Sequence, residues 1–247
     1  MKKLLNTLYV TTEGASLRKD GENLVAEVDN EQRARVPFHM LASVVVFGGT
    51  YLSPPLIEAL APRGITIVLL DRAGRFQARI EGPVSGNVLL RRAQYRVSEQ
   101  PTDIVRSLVS AKVANQRTVL QRSLRDYSAE MAPEQRGRIE AVVDRLAGII
   151  RRVGLTDLDV EVLRGAEGEA AHGYFSVFGS LVRVSDAEMQ FNGRSRRPPR
   201  DAVNAVLSFI YVLLTHDCRS AAEAVGLDPA VGFLHRDRPD GRASRST

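Results

Sequence analysis

The chain has 247 residues, of which 44% are hydrophobic and 26% are charged, so it can form one large domain or two smaller ones around a hydrophobic core. Its formal net charge is +5 and its basic residues are mostly arginine, which favours nucleic acid as a partner, although a merely soluble, mildly basic protein has the same balance. The single cysteine, Cys218, excludes an internal disulfide framework and a multi-cysteine metal site, and its apolar surroundings predict a buried thiol.

No stretch of the sequence has the roughly twenty apolar residues that a membrane span needs. The N-terminus is basic and then briefly apolar, but no small-residue cleavage site follows, so it does not resemble a signal peptide. We therefore expect a cytoplasmic protein that does not enter the membrane.

Residues 1 to about 80 are predicted to form six or seven β-strands and one short helix. Asp20-Gly21 is typical of a hairpin turn between two strands. The short helix is expected to have a proline near its start, at Pro54, and Gly64 after its end. Tyr51, which follows paired glycines, either contacts a partner or packs locally. This stretch is expected to be a compact β domain.

Gly82, Pro83 and Gly86 interrupt the strand pattern and mark the expected end of the β domain. From about residue 88 the sequence is almost entirely helical in character. The predicted fold class is α+β, with an N-terminal β domain followed by an all-α C-terminal domain.

A long helix is predicted from Asp103 to about Tyr127, with Thr102 as its N-cap. Its apolar side is expected to contain Ile104, Leu108, Ala111, Val119 and Leu124. A row of basic residues on this helix either follows a nucleic-acid backbone or forms a solvated face, and we favour the solvated face for most of them: Arg106, Lys112, Arg117, Arg122 and Arg125. A second amphipathic helix is predicted for the sequence GRIEAVVDRLAGIIRRV.

The stretch from Leu163 to Phe178 predicts a helix with a carboxylate on its apolar, inward-looking face. That face is expected to contain Glu167, Ala170, Ala171, Tyr174 and Phe178. A buried carboxylate must be paired, protonated or bound to a cation. The alternative is that Glu167 lies in the first helical turn, where the helix dipole favours an acid and solvent reaches it.

A basic loop follows, with four arginines around two prolines, and it either contacts phosphate or is a disordered linker: Arg194, Arg196, Arg197 and Arg200. The next stretch is hydrophobic nearly all round and predicts a buried helix. Its polar residues form one stripe, which either faces a polar site or bonds back to its own helix: Asn204, Ser208, Tyr211 and Thr215.

Glu167 and His235 are the one pair of side chains that we offer as metal ligands. A carboxylate and an imidazole suit Mn²⁺ somewhat better than Mg²⁺, and such an ion can polarise a phosphodiester and stabilise its leaving oxygen. The other three histidines, His39, His172 and His216, are expected to be structural.

Four stretches resemble one family closely: GPVSGNVLLRRAQY, GAEGEAAHGYFSVF, RRPPRDAVNAVLSFIYVLLTHDC and GLDPAVGFLH. On these motifs the chain is identified as a member of the CRISPR-associated integrase family called Cas-one, and it is most similar to the type I-C branch. The resemblance implies an N-terminal β-sandwich that forms a homodimer, over residues 1–82, a linker with the first helix over 83–101, and a catalytic helical domain over 102–247.

The resemblance also implies an activity and partners. Members of the family assemble as a dimer of dimers bridged by the small Cas-two protein, bind double-stranded DNA as prespacer and CRISPR repeat, and join DNA 3′ ends to the CRISPR array by transesterification. Many also nick DNA with Mn²⁺ or Mg²⁺. By position, Glu167 and His235 match the glutamate and histidine metal ligands of the family, and Asn204 and Tyr174 match residues that line the site.

One feature departs from the family pattern. The third metal ligand of the family is an aspartate a little over a dozen residues after the histidine, on a helix for which this sequence has no counterpart before Thr247. Asp237 and Asp240 have the wrong spacing. We therefore expect weak or absent catalysis, and two hypotheses stand: a metal-dependent DNA endonuclease and integrase, or a catalytically impaired protein that binds DNA and assembles as a dimer.

Overall fold

The computed structural model describes residues 6–83, 87–155, 158–184, 189–196 and 198–235. The chain divides into two compact units. The first comprises Met1–Arg91 with Phe209–Pro229, and the second comprises Arg92–Ser208 with Ala230–Thr247. Each unit contains one part of the predicted α+β fold.

The first unit is built on two four-stranded sheets. In the described residues its strands are β1 Asn6–Val10, β2 Ser16–Asp20, β3 Asn23–Val28, β4 Glu31–Pro37, β5 Leu41–Phe47, β6 Tyr51–Leu52, β7 Thr66–Leu70 and β8 Phe76–Ile80. One sheet has the order β1-β5-β7-β8, parallel except for β8, and the other has the order β4-β3-β2-β6, antiparallel except for the pairing of β6 with β2. Over the described part of the chain, the structure has one strand more than the six or seven predicted, and the short β6, with only two residues, accounts for the difference.

The two sheets enclose one hydrophobic core. Leu17 and Leu24 from one sheet and Val44 and Ile67 from the other lie in the same buried cluster, and none of the four is more than 1% exposed. Burying such side chains contributes about 1.5–3 kcal/mol each. The predicted β domain is therefore a sandwich of two sheets, which confirms the predicted fold class.

Tight turns fix the register of the antiparallel strands. Asp20 pairs with Asn23 across a loop that begins with Gly21 at φ 57°, as the hairpin prediction required. A second hairpin joins β3 to β4 through Asp29 and Asn30, which have φ of 52° and 63°. Asparagine and aspartate tolerate this left-handed conformation, so the dipeptide was a turn signal that the sequence analysis did not use.

The short helix was predicted correctly. Helix α1 is Pro54–Leu60, a 3₁₀ turn at Ala61–Arg63 follows it, and Gly64 ends the turn at φ 70°. Leu56 and Leu60 of this helix are fully buried in the sandwich core.

The remaining helices in the described residues are α2 Val88–Glu99, α3 Thr102–Tyr127, α4 Pro133–Val153, α5 Val160–Phe178 and α6 Ala202–Ala224. Three short 3₁₀ turns lie at Phe38–Met40, Ser128–Glu130 and Gly179–Leu181. Helices α3, α4 and α5 pack together around the core of the second unit. That core contains Val105, Val113, Ile139, Leu146 and Leu163.

The predicted apolar side of α3 is wrong by one residue position. Val105, Val109, Val113 and Leu120 are buried, whereas Ile104, Leu108 and Val119 are 36%, 55% and 45% exposed. Ala111 is exposed and Leu124 is partly buried. Two apolar stripes lie side by side on this helix, and packing against α4 and α5 selects one of them. The cap also differs, because Thr102 is the first helical residue and Pro101 precedes it.

Helix α6 was predicted to be buried and is not. Val206, Ile210, Tyr211 and Leu214 are each about half exposed. From Phe209 onward the helix covers the sheet with one side only. On that side Leu213 packs beside strands β5 and β7. Cys218 is likewise exposed, not buried.

The division into units also differs from the predicted domain bounds. Residues 209–229 fell within the predicted C-terminal domain of 102–247, but they group with the sheets. The ring of Phe209 lies 5.7 Å from that of Phe47, and His216 stacks on Phe76 with ring centroids 4.6 Å apart. These contacts hold the second part of α6 on the β1-β5-β7-β8 sheet. None of the helices in the described residues has the length and apolar character needed to cross a bilayer.

Candidate metal centre and basic loop

Glu167 lies in the middle of α5 and is buried. The helix begins at Val160, so Glu167 lies two turns from the helix start, beyond the first turn that the alternative supposed, and it is only 6% exposed. The alternative of a solvated first-turn acid is therefore wrong. The inward face contains Leu163, Ala166 and Ala170, together with Gly173 and Val177, rather than the predicted Ala171, Tyr174 and Phe178, which are only half-buried.

The carboxylate of Glu167 is paired with a lysine from another helix. Lys112 Nζ on α3 donates to Glu167 Oε1, and the lysine side chain is 40% exposed while that of the glutamate is 7% exposed. Among the residues that the structure describes, Lys112 is the one hydrogen-bond partner of this carboxylate. The ammonium group of Lys112 therefore neutralises the charge of Glu167 at one of its two oxygens. A bound metal ion would supply positive charge at the same carboxylate.

His235 is brought to this centre by an arginine of α5. Arg164 precedes Glu167 by three residues, and its Nε and Nη2 both donate to the carbonyl oxygen of Leu234, at 3.0 and 2.6 Å. Its Nη1 donates to both carboxylate oxygens of Glu161, at 2.7 and 2.6 Å, which fixes the guanidinium. Phe233 and Leu234 also pack against the helical core. The segment that ends in His235 is therefore fastened to α5 near Glu167.

The imidazole of His235 is held in a form that suits a metal ligand. Burial lowers the pKa of His235 below its usual value; the negative charge of Glu167 opposes this shift, and the positive charges of Arg164 and Lys112 add to it. A lower pKa favours the neutral imidazole at neutral pH, and the neutral imidazole is the form that coordinates metal ions. These four side chains thus form one electrostatic centre.

The donor set fits a divalent cation as a two-ligand site. A glutamate oxygen and a neutral imidazole are ligands that Mn²⁺ accepts, and water or phosphate oxygens complete such a coordination shell. In the described part of the chain, no group of three His, Cys, Asp or Glu side chains gathers where it could share a metal ion. Asp237 and Asp240 lie outside the described residues.

Asn204 bonds to the basic loop, and its predicted place lining the metal site remains a prediction. It is fully buried and makes four side-chain hydrogen bonds, none of them to Glu167 or His235. Its Oδ1 accepts from Arg194 Nη1 and from the Ser195 backbone N–H, both at 2.9 Å, and its Nδ2 donates to Gly193 O at 2.8 Å and Asp201 Oδ2 at 2.6 Å. The side chain therefore anchors the basic loop to the start of α6.

Asp201 completes this anchor as the N-cap of α6. Its Oδ1 accepts from the backbone N–H of Asn204 at 2.7 Å, three residues on, which is the usual geometry of a capping aspartate. Burial would raise the pKa of Asp201, but the hydrogen bonds from Asn204 and Asn192 and the charge of Arg194 outweigh burial and lower it. The four residues of the polar stripe predicted on α6 do not behave alike. Asn204 bonds to the basic loop, whereas Thr215 donates to Tyr211 O of its own helix at 2.7 Å, as the alternative supposed.

The basic loop is ordered by these contacts. Arg194 is half-buried and donates to Ser195 O at 2.5 Å as well as to Asn204. Arg196 is half-buried, Arg200 is exposed, and Arg197 lies outside the described residues. The backbone N–H of Arg200 donates to Ser195 Oγ at 2.9 Å. DNA contact by these arginines remains a prediction.

The place of Tyr174 beside the metal site remains a prediction. Tyr174 contacts the rings of Phe175 and Phe178, with centroids 5.4 and 5.6 Å away. Exposed His39 and His172 and the stacked His216 do not join the Glu167 centre. Tyr51 is 63% exposed, so local packing does not account for it.

Two residues of the centre, Lys112 and Arg164, were not singled out from the sequence. Lys112 belonged to a basic row assigned to solvent, and that assignment fits Arg122 and Arg125, whose side chains are 75% and 72% exposed. A signal did exist: Lys112 is the only lysine after Lys19 in a chain rich in arginine. Arg164, one turn before Glu167, carried no comparable signal.

Comparison with known proteins places the chain in a family. The profile of the family described as CRISPR associated protein Cas1 matches residues 8–244. A CRISPR-associated endonuclease Cas1 of Rhodospirillum rubrum is 66% identical over 244 residues, which cover 99% of this chain and 71% of that protein. Among solved structures, a Cas6-RT-Cas1–Cas2 complex matches with a TM-score of 0.72 at 20% identity, over 98% of this chain and 26% of that one. A casposase bound to its integration product matches with a TM-score of 0.70 at 23% identity, over 95% of this chain and 66% of that one. The structural matches support the fold, and the sequence matches show that the chain belongs to the Cas1 family of CRISPR-associated proteins.

Proposed function

We propose that the chain is a metal-dependent DNA endonuclease and integrase of CRISPR adaptation, which captures foreign DNA fragments and inserts them as spacers. The observation that carries the proposal is the buried carboxylate of Glu167, to which Arg164 brings His235. A buried carboxylate that is paired with one lysine within the described residues retains an oxygen that can bind a metal ion. Membership of a family whose relatives are named endonucleases supports the choice of reaction.

Glu167 and His235 would hold Mn²⁺ or Mg²⁺ in this site. Such an ion supplies Lewis-acid polarisation of the phosphate and stabilises charge on the leaving oxygen. The protein contributes orientation: α5 presents the carboxylate from a packed core, and the Arg164 fork fixes the backbone next to the imidazole. Arg196, Arg197 and Arg200 are proposed to contact the DNA backbone, with Arg194 holding the loop in shape.

We also propose the partners that this activity requires. Double-stranded DNA, as prespacer and CRISPR repeat, is supported by the basic net charge and by the fold match to a casposase bound to its integration product. A homodimer and a Cas2 partner are supported by the fold match to a Cas1–Cas2 complex. A place in a type I-C system and a cytoplasmic location, where the CRISPR array lies, complete the proposal.

A second candidate is a catalytically impaired protein that binds DNA and assembles as a dimer. It is favoured by the donor set, because Glu167 and His235 are joined by no third acidic ligand within the described residues and a lysine occupies one glutamate oxygen. A site with fewer carboxylate ligands binds hard cations more weakly.

Cleavage and strand transfer distinguish the two candidates. The 247-residue chain is incubated with labelled duplex DNA and a plasmid that carries a CRISPR repeat, with Mn²⁺ or with EDTA. Glu167→Ala is the test variant, and Glu169→Ala on the same helix is its control, since Glu169 pairs with Arg145 and Arg152 instead. Metal-dependent products that Glu167→Ala abolishes and Glu169→Ala retains support the enzyme. DNA binding without products in any condition supports the second candidate.

A further inference from the structure

Lys112 is positioned to do more than neutralise a buried acid. We propose that Lys112 is an exchangeable counterion: it holds the carboxylate of Glu167 until a divalent cation binds, then releases it and presents its ammonium group to the DNA phosphate. This inference rests on the proposed function, because it assigns a role to a residue of that same site.

The first support is the asymmetry of the ion pair. The glutamate side chain is 7% exposed and cannot leave the core, whereas the lysine side chain is 40% exposed and has an open path to solvent. Leaving the Glu167 charge uncompensated would be costly, so some cation must accompany it in the folded chain. The lysine supplies this charge by reaching in from α3, and it is the partner that can move.

The second support is the choice of lysine. The chain has 34 basic residues, yet Lys112 is the only lysine after Lys19. Arginine binds carboxylates through two parallel hydrogen bonds and would engage both oxygens of Glu167. Lysine is a compact charge that here engages Oε1 alone. A residue that must give up the carboxylate to a metal ion is better served by lysine.

The third support is that Lys112, rather than the neighbouring cation Arg164, is available to contact a phosphate. Arg164 uses four of its five N–H groups on Glu161 and on Leu234 O, so without rearrangement of these bonds it can offer a ligand one N–H at most. Lys112, once displaced, keeps a flexible stem beside Glu167 and His235. A phosphate held at that centre would lie within reach of its charge, where it would offset the negative charge that develops during strand transfer.

Three variants test the exchange, because they are expected to raise, lower and leave unchanged the affinity for Mn²⁺. Mn²⁺ affinity is measured by electron paramagnetic resonance titration of the full 247-residue chain. Lys112→Met removes the competing cation, and we expect it to bind Mn²⁺ about 3- to 10-fold more tightly. Lys112→Arg installs a two-pronged competitor, and we expect it to bind Mn²⁺ more weakly than the wild type. Lys19→Met removes the same charge from strand β2 and is expected to leave the affinity unchanged.

Thermal melting shows whether the Lys112→Met variant is folded and whether Mn²⁺ binds to the folded protein. The metal-free Lys112→Met variant is expected to melt at a lower temperature than the wild type, and saturating Mn²⁺ is expected to raise its melting temperature by more than it raises that of the wild type, since bound ligand stabilises the native state. Under saturating Mn²⁺ its strand-transfer kcat is expected to fall about tenfold or more.

The outcomes separate this inference from the proposed function. If the wild type binds no Mn²⁺ and Lys112→Met binds none, the proposed function fails. If the wild type binds Mn²⁺ but Lys112→Met binds it equally or more weakly, the exchange is overturned while the proposed function stands. Tighter binding with an unchanged kcat overturns the contact with DNA phosphate.

Discussion

Two buried polar side chains of the helical unit, Glu167 and Asn204, differ in how far the protein satisfies them. Asn204 is fully buried, and all of its four bonds go to the loop and the helix cap beside it. Glu167 is 6% exposed and, among the residues that the structure describes, has one hydrogen-bond partner, a lysine that is partly in solvent. The amide has no capacity left for a ligand, whereas the carboxylate does. Complete satisfaction fits a structural role for Asn204, and the remaining capacity of the Glu167 carboxylate is the feature on which the proposed metal site rests.

The largest effect is expected from Glu167→Gln. It keeps the shape of the side chain but removes the anionic ligand, so Mn²⁺-dependent cleavage should fall by at least about 10²-fold. The measured quantity is kcat on duplex DNA, with Glu169→Gln as the matched control. Full activity of Glu167→Gln would contradict the functional difference proposed between Glu167 and Asn204.

Asn204→Ala should act on stability instead. It leaves buried groups of the basic loop without partners, and we expect the free energy of unfolding to fall by about 1–3 kcal/mol in urea titrations. Exposed Asn115 on α3 provides the control, and Asn115→Ala should change the stability by less than about 0.5 kcal/mol. An Asn204→Ala protein as stable as the wild type would remove the structural role assigned to this amide.

Arg164→Lys should have a smaller effect on the metal centre. A lysine cannot hold Leu234 O and both oxygens of Glu161 at once, so His235 loses its alignment and Mn²⁺ affinity should drop by about tenfold. Arg122→Lys, at an exposed position of α3, is the control. If Arg164→Lys bound Mn²⁺ as tightly as the wild type, the arginine would not position the histidine.

The smallest effect is a pH dependence of stability that comes from Glu81, a carboxyl of the first unit that takes no part in the metal centre. Burial and a hydrogen bond with Glu223 raise the pKa of Glu81 to about 7, against the opposing charges of Arg79 and Arg219. Its pKa is higher in the folded than in the unfolded chain, so its contribution to stability is present below the unfolded value of about 4.5 and is lost as pH rises toward 7.

Melting curves from pH 5 to pH 8 test this effect. The wild type should lose more thermal stability over that interval than Glu81→Gln, at roughly 2–4 °C for each kcal/mol. Glu58→Gln, at an exposed position of α1, should behave as the wild type does. Identical pH profiles for the wild type and Glu81→Gln would show that Glu81 titrates normally.

Local patterns were enough to predict most elements of the fold. The turn at Gly21, the cap at Gly64 and the β-branched runs of β5 and β7 are properties of neighbouring residues, and they fixed the β domain. The inward side of α3 could not be predicted this way, because Ile104 and Val105 begin two apolar stripes of similar length. Only the packing of α4 and α5 decides between them.

The candidate site was predicted in part for the same reason. Glu167 stood out as an acid on an apolar helix face, and burial confirms that feature. Its partner Lys112 is 55 residues away and its orienting partner Arg164 bonds a carbonyl 70 residues on, so neither contact has a local pattern. The polar character of Asn204 was recognised, but a buried amide satisfied by a loop and one facing a ligand look alike in sequence.

The most direct test of the central claim is the stoichiometry of Mn²⁺ binding to the wild type, Glu167→Gln and His235→Ala, with Asn204→Ala as a reference for structural damage. We predict one Mn²⁺ site per chain in the wild type and in the folded fraction of Asn204→Ala, and its loss in both ligand variants. Mn²⁺ binding that is unchanged in Glu167→Gln and His235→Ala would contradict the account, because the cation would then be held elsewhere.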